Sequence, residues 1–204
     1  VYDLNTGQSP SISSSSSFSV PENQTYIGII TASDSDSDNL SFSISGSDIS
    51  INSSTGDMSF IAASDYETKT SYEATVSVTD GVNITAQDIT INIIDVNDNS
   101  PVITSNNSFT ADENQTTIGT VTATDADGDD LSFSINSPNM LIDPTSGLIV
   151  FTSSPDYEST NSYSALITVS DGANTASQLI TVNINNLNDN SPVITSNNSF
   201  TADE

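Results

Sequence analysis

The residues with most chemistry to offer in this chain are oxygen donors, and they come in clusters. Asp95-Val96-Asn97-Asp98-Asn99-Ser100-Pro101 sets carboxylate and amide oxygens side by side, and Asn186-Leu187-Asn188-Asp189-Asn190-Ser191-Pro192 repeats the pattern. Four further acidic motifs occur twice: an early glutamate (Glu22, Glu113), Asp-x-Asp (Asp34/Asp36, Asp125/Asp127), Asp-Tyr-Glu (65–67, 156–158) and Asp-Gly (Asp80, Asp171). A single acid is by default a solvated loop residue. Carboxylates that converge are different, because their repulsion costs on the order of a few kcal/mol unless a cation lies among them. Ca2+ takes six to eight such hard oxygens, whereas Mg2+ keeps more of its own water.

Competing chemistries are poorly served. There is no Cys and no His, so zinc lacks its usual ligands and no thiol or imidazole can act in catalysis. Serine is abundant but has no activating base, and the paired carboxylates that could cleave a glycoside look committed to a cation. An enzyme is therefore not expected. Asp34-x-Asp36-x-Asp38 and Asp125-x-Asp127-x-Asp129 imitate an EF-hand opening. That loop needs Gly at its sixth position and Glu at its twelfth; here the sixth positions are Asn39 and Asp130, and the twelfth are Ser45 and Asn136.

Charge narrows the partners. Asp and Glu number 27 against a single basic residue, Lys69, for a formal net charge of −26. With no basic patch to displace counterions, nucleic acid is excluded as a partner, and direct contact with an anionic membrane is disfavoured. Such self-repulsion loosens a compact fold unless salt or bound cations offset it. The Ser/Thr/Asn/Asp-rich, cysteine-free composition leans towards a secreted or surface protein of bacterial type. No apolar run approaches the length of a membrane span and no signal peptide is visible, so the chain reads as a piece of something longer.

The elements that must position these acids repeat as well. Asn97–Glu113 and Asn188–Glu204 are identical letter for letter, an offset of 91 residues that carries every acidic motif from one copy to the next without a gap. The expected domains are 10–98 and 99–189, with 190–204 opening a truncated third repeat. Within each copy apolar residues alternate: Tyr72, Ala74, Val76, Val78 and then Ile89, Ile91, Ile93, matched by Tyr163, Ala165, Ile167, Val169 and Ile180, Val182, Ile184. Period two means strands. Shorter strands are expected at 26–32, 40–45 and 58–61, with equivalents at 117–123, 131–136 and 148–151. Ser13–Ser17, equivalent to Thr104–Ser108, is taken as the first strand rather than a linker. About seven short strands per 90 residues, punctuated by Asp-Gly and Thr-Gly-Asp turns, describe an all-β chain of two tandem Greek-key, immunoglobulin-like sandwiches.

The order Glu, Asp-x-Asp, Asp-Tyr-Glu, Asp-Gly, Asn-Asp-Asn-x-Pro resembles the extracellular cadherin repeat across both copies. The resemblance implies about three Ca2+ ions between consecutive repeats, held by oxygen ligands. The implied upstream ligands are Glu22, Asp65 and Glu67; the linker adds the Val96 carbonyl, Asn97, Asp98 and the Asn99 carbonyl; the downstream set is Asp125, Asp127 and Asp171. Partial sites are implied at Asp34, Asp36 and Asp80, where the upstream linker reads Thr6-Gly7-Gln8, and at Glu113, Asp156, Glu158, Asn188 and Asp189. The amide-bearing residue that the family often places after Asp-x-Asp-x-Gly is missing, which leaves Asp129 or Asp130 to compensate. There is no Trp for strand-exchange adhesion, so the form is closer to cadherin-like modules of bacterial surface and secreted proteins.

Two functions are expected to compete. One is an extracellular, calcium-stiffened tandem module that adheres, homophilically or to another adhesin copy, or that spaces an adhesive tip, with neighbouring repeats of the same chain as its first partners. The other is calcium-dependent binding of a polysaccharide. Without Trp, that second role rests on Tyr and Phe for ring stacking, with Tyr66 and Tyr157 structural and Tyr2 and Tyr26 freer.

Overall fold

The alternation that reads as strands folds as strands. The computed structural model describes residues 7–196 and 198, and among these there is no helix. They fall into two units that divide between Asp98 and Asn99. Tyr2, Thr6 and most of the segment after Ser196 lie outside the described residues.

Unit 1 contains β1 (Ser11–Ile12), β2 (Ser17–Pro21), β3 (Tyr26–Ile29), β4 (Ala32–Ser33), β5 (Ser41–Ile44), β6 (Ile49–Ile51), β7 (Asp57–Phe60), β8 (Ser71–Thr79) and β9 (Ile84–Ile94). One sheet runs β2-β9-β8-β5, with β2 parallel to β9; the other runs β3-β7-β6, and β1 pairs with β4. Unit 2 repeats the arrangement with β10 (Val102–Ile103), β11 (Ser108–Asp112), β12 (Thr117–Thr120), β13 (Ala123–Thr124), β14 (Ser132–Asn136), β15 (Met140–Ile142), β16 (Leu148–Phe151), β17 (Ser162–Ser170) and β18 (Thr175–Asn185). Its sheets run β11-β18-β17-β14 and β12-β16-β15, with β10 paired to β13. Counting β1/β2 and β3/β4 as interrupted single strands gives the expected seven-strand sandwich.

The inward positions are the alternating apolar ones. Val76, Val78, Ile89 and Ile91 of unit 1, and Ile167, Val169, Ile180 and Val182 of unit 2, are essentially sealed from solvent. Burying each side chain of this size stabilises by about 1.5–3 kcal/mol. Tyr66 and Tyr157 pack against the two cores, whereas Tyr26 is 54% exposed.

Three strand expectations need correction. Most of the serine run is not strand. Ser13–Ser16 is the step by which the chain leaves β1 and enters β2 on the other sheet, held by Ser13 N–H on the Thr31 carbonyl (2.9 Å) and by Ser15 Oγ accepting the Ser17 N–H (3.0 Å). Serine hydroxyls compete with ladder hydrogen bonds in this way. The long second strand is also broken, at Ile30–Thr31: the Ile30 N–H still bonds to the Gly56 carbonyl (2.9 Å), but the Gly56 N–H turns back to the Asn52 carbonyl (2.9 Å), so the pairing with β7 stops at Asp57. Gly56 and its equivalent Gly147 have φ of 77° and 70°, and a Cβ on either would sit 2.3 Å from the carbonyl oxygen of Ile30 or Val121. Only glycine fits there. Finally, β6 and β15 have just three residues each, too few for their alternation to stand out.

Candidate metal centre

Each unit carries acids at its two ends, built from the same parts. In unit 1 the chain leaves β2 at Pro21 and turns at Glu22, whose side chain is only 3% exposed. Its Oε2 accepts the Tyr66 N–H (2.7 Å) and its Oε1 the Val96 N–H (2.9 Å). These charge-assisted bonds tie the Asp-Tyr-Glu loop and the linker to one carboxylate. Asn23 follows in the left-handed region at φ 64°; its N–H donates to the Ser64 carbonyl (2.9 Å) and its amide to the Asp98 carboxylate. Oxygens of Glu22, Glu67 and Asp95 lie within 4.8 Å of one another.

Unit 2 reproduces this end. Glu113 is 1% exposed and accepts the N–H groups of Tyr157 (2.9 Å) and Leu187 (2.6 Å). Asn114 donates its N–H to the Pro155 carbonyl (3.0 Å) and its amide to Asp189 (2.7 Å). Glu113, Asp156 and Glu158 form the matching oxygen cluster. Asn186 stands where unit 1 has Asp95 and donates to Glu158 (3.2 Å). The Thr68 hydroxyl (2.8 Å) holds the Asp65 carboxyl below its ordinary range, and the Ser159 hydroxyl (2.8 Å) does the same for Asp156.

The opposite end of each unit is an acidic loop receiving the incoming chain. In unit 2 the Asn99 N–H and side-chain amide both donate to Asp127 (2.9 and 2.6 Å), and the Asn174 amide returns to the Asn99 carbonyl (3.1 Å). Asp171, 9% exposed, accepts the N–H groups of Ala173 (2.7 Å) and Asn174 (2.6 Å). Asp125 uses Oδ1 on the Asp127 N–H (3.0 Å), while its Oδ2 is buried and receives no hydrogen bond. Asp125, Asp127 and Asp129 bring oxygens within 4.8 Å. Desolvation, then the charges of Asp125, Asp127, Asp171 and Asp130, pushes the Asp129 carboxyl above its ordinary range. Of the two acids expected to compensate for the missing amide, Asp129 is the one whose oxygen joins this cluster. In unit 1, Gln8 takes the Asn99 role, donating its N–H to Asp36 (3.2 Å) and accepting from Asn83 (3.3 Å). Asp80 caps the turn to Asn83 (2.6 Å), Asp34 again has a buried Oδ2 without a donor, and Asp34, Asp36 and Asp38 cluster.

The donor set fits Ca2+. Every candidate ligand is a hard oxygen, the loops leave a buried carboxylate oxygen without a donor, and the compensating groups are backbone N–H bonds that leave other lone pairs open. Among the expected ligands, Glu22 meets Glu67, Asp125 meets Asp127, and Asp171 and Asn99 are linked through Asn174. Asp65 engages Thr68, Asp98 is held by Asn23, Asn97 is half-buried, Val96 gives its N–H to Glu22, and Asn188 lies exposed beside Asp189. Asp95 was not among the expected ligands. Its signal was that it breaks the repeat, being an acid where the next copy has Asn186.

Comparison with known proteins agrees with this geometry. Residues 16–96 match the cadherin domain model. The chain belongs to the cadherin family. Residues 97–183 match a bacterial Ig domain model, another sandwich, although this repeat shares its strand order and acidic ends with the first. Human protocadherin Fat 4 is 38% identical over 126 residues, covering 55% of this chain, and pig protocadherin-11 X-linked is 32% identical over 212 residues, covering 90%. This cadherin chain spans only 2% and 19% of those relatives. In fold, it superposes on human protocadherin-24 EC1-2 with a TM-score of 0.78 at 21% identity, covering 88% of this chain and 98% of that one. Mouse cadherin-23 EC22-24 gives 0.76 at 23% identity, covering 90% and 66%.

Proposed function

We propose that this pair of cadherin repeats binds calcium at its acidic ends and acts, outside the cell, as an adhesive module or as a stiff spacer in a longer adhesive chain. The observation that carries the reading is the buried glutamate, present twice at the 91-residue offset, which ties an acidic loop to an acidic linker through two backbone N–H bonds. A fold does not desolvate a carboxylate next to two others without a use for the arrangement, since removing the charge would be simpler.

Asp98 closes unit 1 and Asn99 opens unit 2, so one peptide bond joins the two donor sets. Glu22, Asp65, Glu67, the Val96 carbonyl, Asn97 and Asp98 would hold ions from one side; the Asn99 carbonyl, Asp125, Asp127 and Asp171 would hold them from the other, for about three ions in all. Bound there, Ca2+ supplies the positive charge that this chain lacks. Ligands contributed from both units convert binding free energy into a restraint on the linker, because full coordination requires both to be in register. The acids of the outer ends, Asp34, Asp36 and Asp80, and Glu113, Asp156, Glu158, Asn188 and Asp189, are the half-sites at which neighbouring repeats would join.

Calorimetric titration with calcium should report several ions per chain, and small-angle scattering should show one extended particle in calcium and a broader distribution of dimensions in chelator. Asp98→Ala should abolish the difference. Identical scattering in calcium and chelator would refute the proposal, and retention on insoluble polysaccharide only in calcium would favour the sugar-binding role instead.

A further inference from the structure

We propose that Asn23 and Asn114 are the positioning residues of the linker carboxylates, holding Asp98 and Asp189 in place before any ion arrives. The inference rests on the calcium reading above for its purpose, but its geometry stands within each unit. Both asparagines directly follow the buried glutamate, and both adopt the left-handed region, with φ of 64° and 65°. Each donates its backbone N–H across to the acidic loop, at the Ser64 or Pro155 carbonyl, and its side-chain amide to the linker aspartate. Loop and linker are thereby joined through one residue. The two tethers arise in separate units, at the same offset as the ligands.

The residue type matters for two reasons. Asn tolerates positive φ better than other non-glycine residues, so the turn at this position does not need Gly. Its amide is also a neutral donor that can occupy one lone pair of a carboxylate while leaving the rest for a cation. A lysine there would neutralise the aspartate and compete with an ion; an aspartate would repel it. In a chain with one basic residue, an amide can orient the linker acid without cancelling its charge. The adjacent glutamate fixes the start of the linker through the Val96 or Leu187 N–H, and the asparagine fixes the acid two residues later. Together they leave the linker little freedom to lose on binding, which is how preorganisation raises affinity.

The test separates the amide from the backbone turn. Asn23→Gly keeps the left-handed conformation and removes the amide; Asn114→Gly does the same in unit 2 and serves as the second variant if the first folds poorly. Hydrogen exchange in chelator is read at the Val96 and Leu187 N–H groups, beside the tethers but not part of them. We expect each glycine variant to speed exchange at its own linker by about tenfold, with the other linker unchanged and both melting temperatures within a few degrees of wild type. In calcium, Asn23→Gly should weaken binding by about tenfold, the loss of one charge-assisted hydrogen bond. Wild-type exchange in both glycine variants overturns the proposal, as does a faster exchange that appears equally across the whole unit. A wild-type chain that takes up no calcium would instead overturn the calcium reading, and the exchange rates in chelator would still decide whether the tether exists.

Discussion

Replacing Glu22 by Gln should leave this protein nearly as stable as before in chelator and strip it of most of its response to calcium. The side chain is 3% exposed, and its two oxygens accept the N–H groups of Tyr66 and Val96 at 2.7 and 2.9 Å. Glutamine can satisfy only one of them, and the other N–H then faces an amide donor, at a cost of about 1–3 kcal/mol. Against this, the lost charge relieves repulsion from Glu67 and Asp95, whose oxygens lie within 4.8 Å. At that distance each pair costs roughly 1–3 kcal/mol for effective dielectrics between 80 and 20, with these solvent-accessible partners at the lower end. The two effects nearly cancel, so the melting temperature in chelator should stay within about 8 °C of wild type. With calcium the opposing effect is gone. If wild type is studied at about a thousand times its dissociation constant, binding contributes about 4 kcal/mol. A hundredfold weaker site keeps only about 1.4 kcal/mol, which shrinks the calcium-induced rise in melting temperature by roughly 10–20 °C. Scanning calorimetry on both proteins, in chelator and in calcium, checks this directly. A variant with the full wild-type calcium shift would mean that Glu22 is not a ligand, and a collapse of more than about 25 °C in chelator would mean that it is chiefly a structural strut.

Gly147→Ala should destabilise unit 2 by at least about 2 kcal/mol, because its φ is 70° and the new Cβ would sit 2.3 Å from the Val121 carbonyl oxygen; urea unfolding reads the loss. Asp143, held below its ordinary value near 3.8 by the Ser146 N–H (2.7 Å) and then its hydroxyl, contributes stability that is present above that value and lost as pH falls through the lowered one. Acid unfolding in chelator should therefore have a shallower slope with pH in Asp143→Asn, the residue type that unit 1 already carries at Asn52. In chelator, sodium chloride should raise the melting temperature, since screening relieves the self-repulsion of a chain with net charge −26; a flat response would mean that the acids are already neutralised. Lys69→Met should cost less than about 1 kcal/mol in chemical denaturation, its pairing with Asp48 at 3.2 Å being half-exposed, although the ammonium also lies 3.9 Å from the Tyr72 ring centre.

Much of this fold is legible because the core strands alternate cleanly. Ala74, Val76 and Val78 and then Ile89, Ile91 and Ile93 leave no second register that would bury as much apolar surface. The acids were legible through their repetition, since Glu22 and Glu113 can be paired by offset alone. Spacing does not tell that these two are the buried ones, nor that Asn23 and Asn114 reach the linker, because both facts depend on contacts some 74 or 75 residues apart in sequence. The serine run misled for a related reason. Ser13–Ser17 has no apolar side to choose between sheets, and only the pairing of Ile12 with Ala32 and of Phe18 with Ile91 reveals that the chain changes sheets there. Asp95, whose oxygen joins those of Glu22 and Glu67, stands outside the expected set because a pattern carried over from the family hides an acid that the second copy lacks.

That change of sheet governs how each repeat would bear tension. β2 lies parallel to β9 over Ser17–Thr90 to Pro21–Ile94, and β11 lies parallel to β18 over Ser108–Thr181 to Asp112–Asn185. A pull passed to the start of β2 or β11 and leaving at the end of β9 or β18 drags the paired strands past each other lengthwise. All five rungs are then loaded together instead of opening one after another like a zipper. A chain built from such repeats would resist stretching at the very strands through which the load enters and leaves.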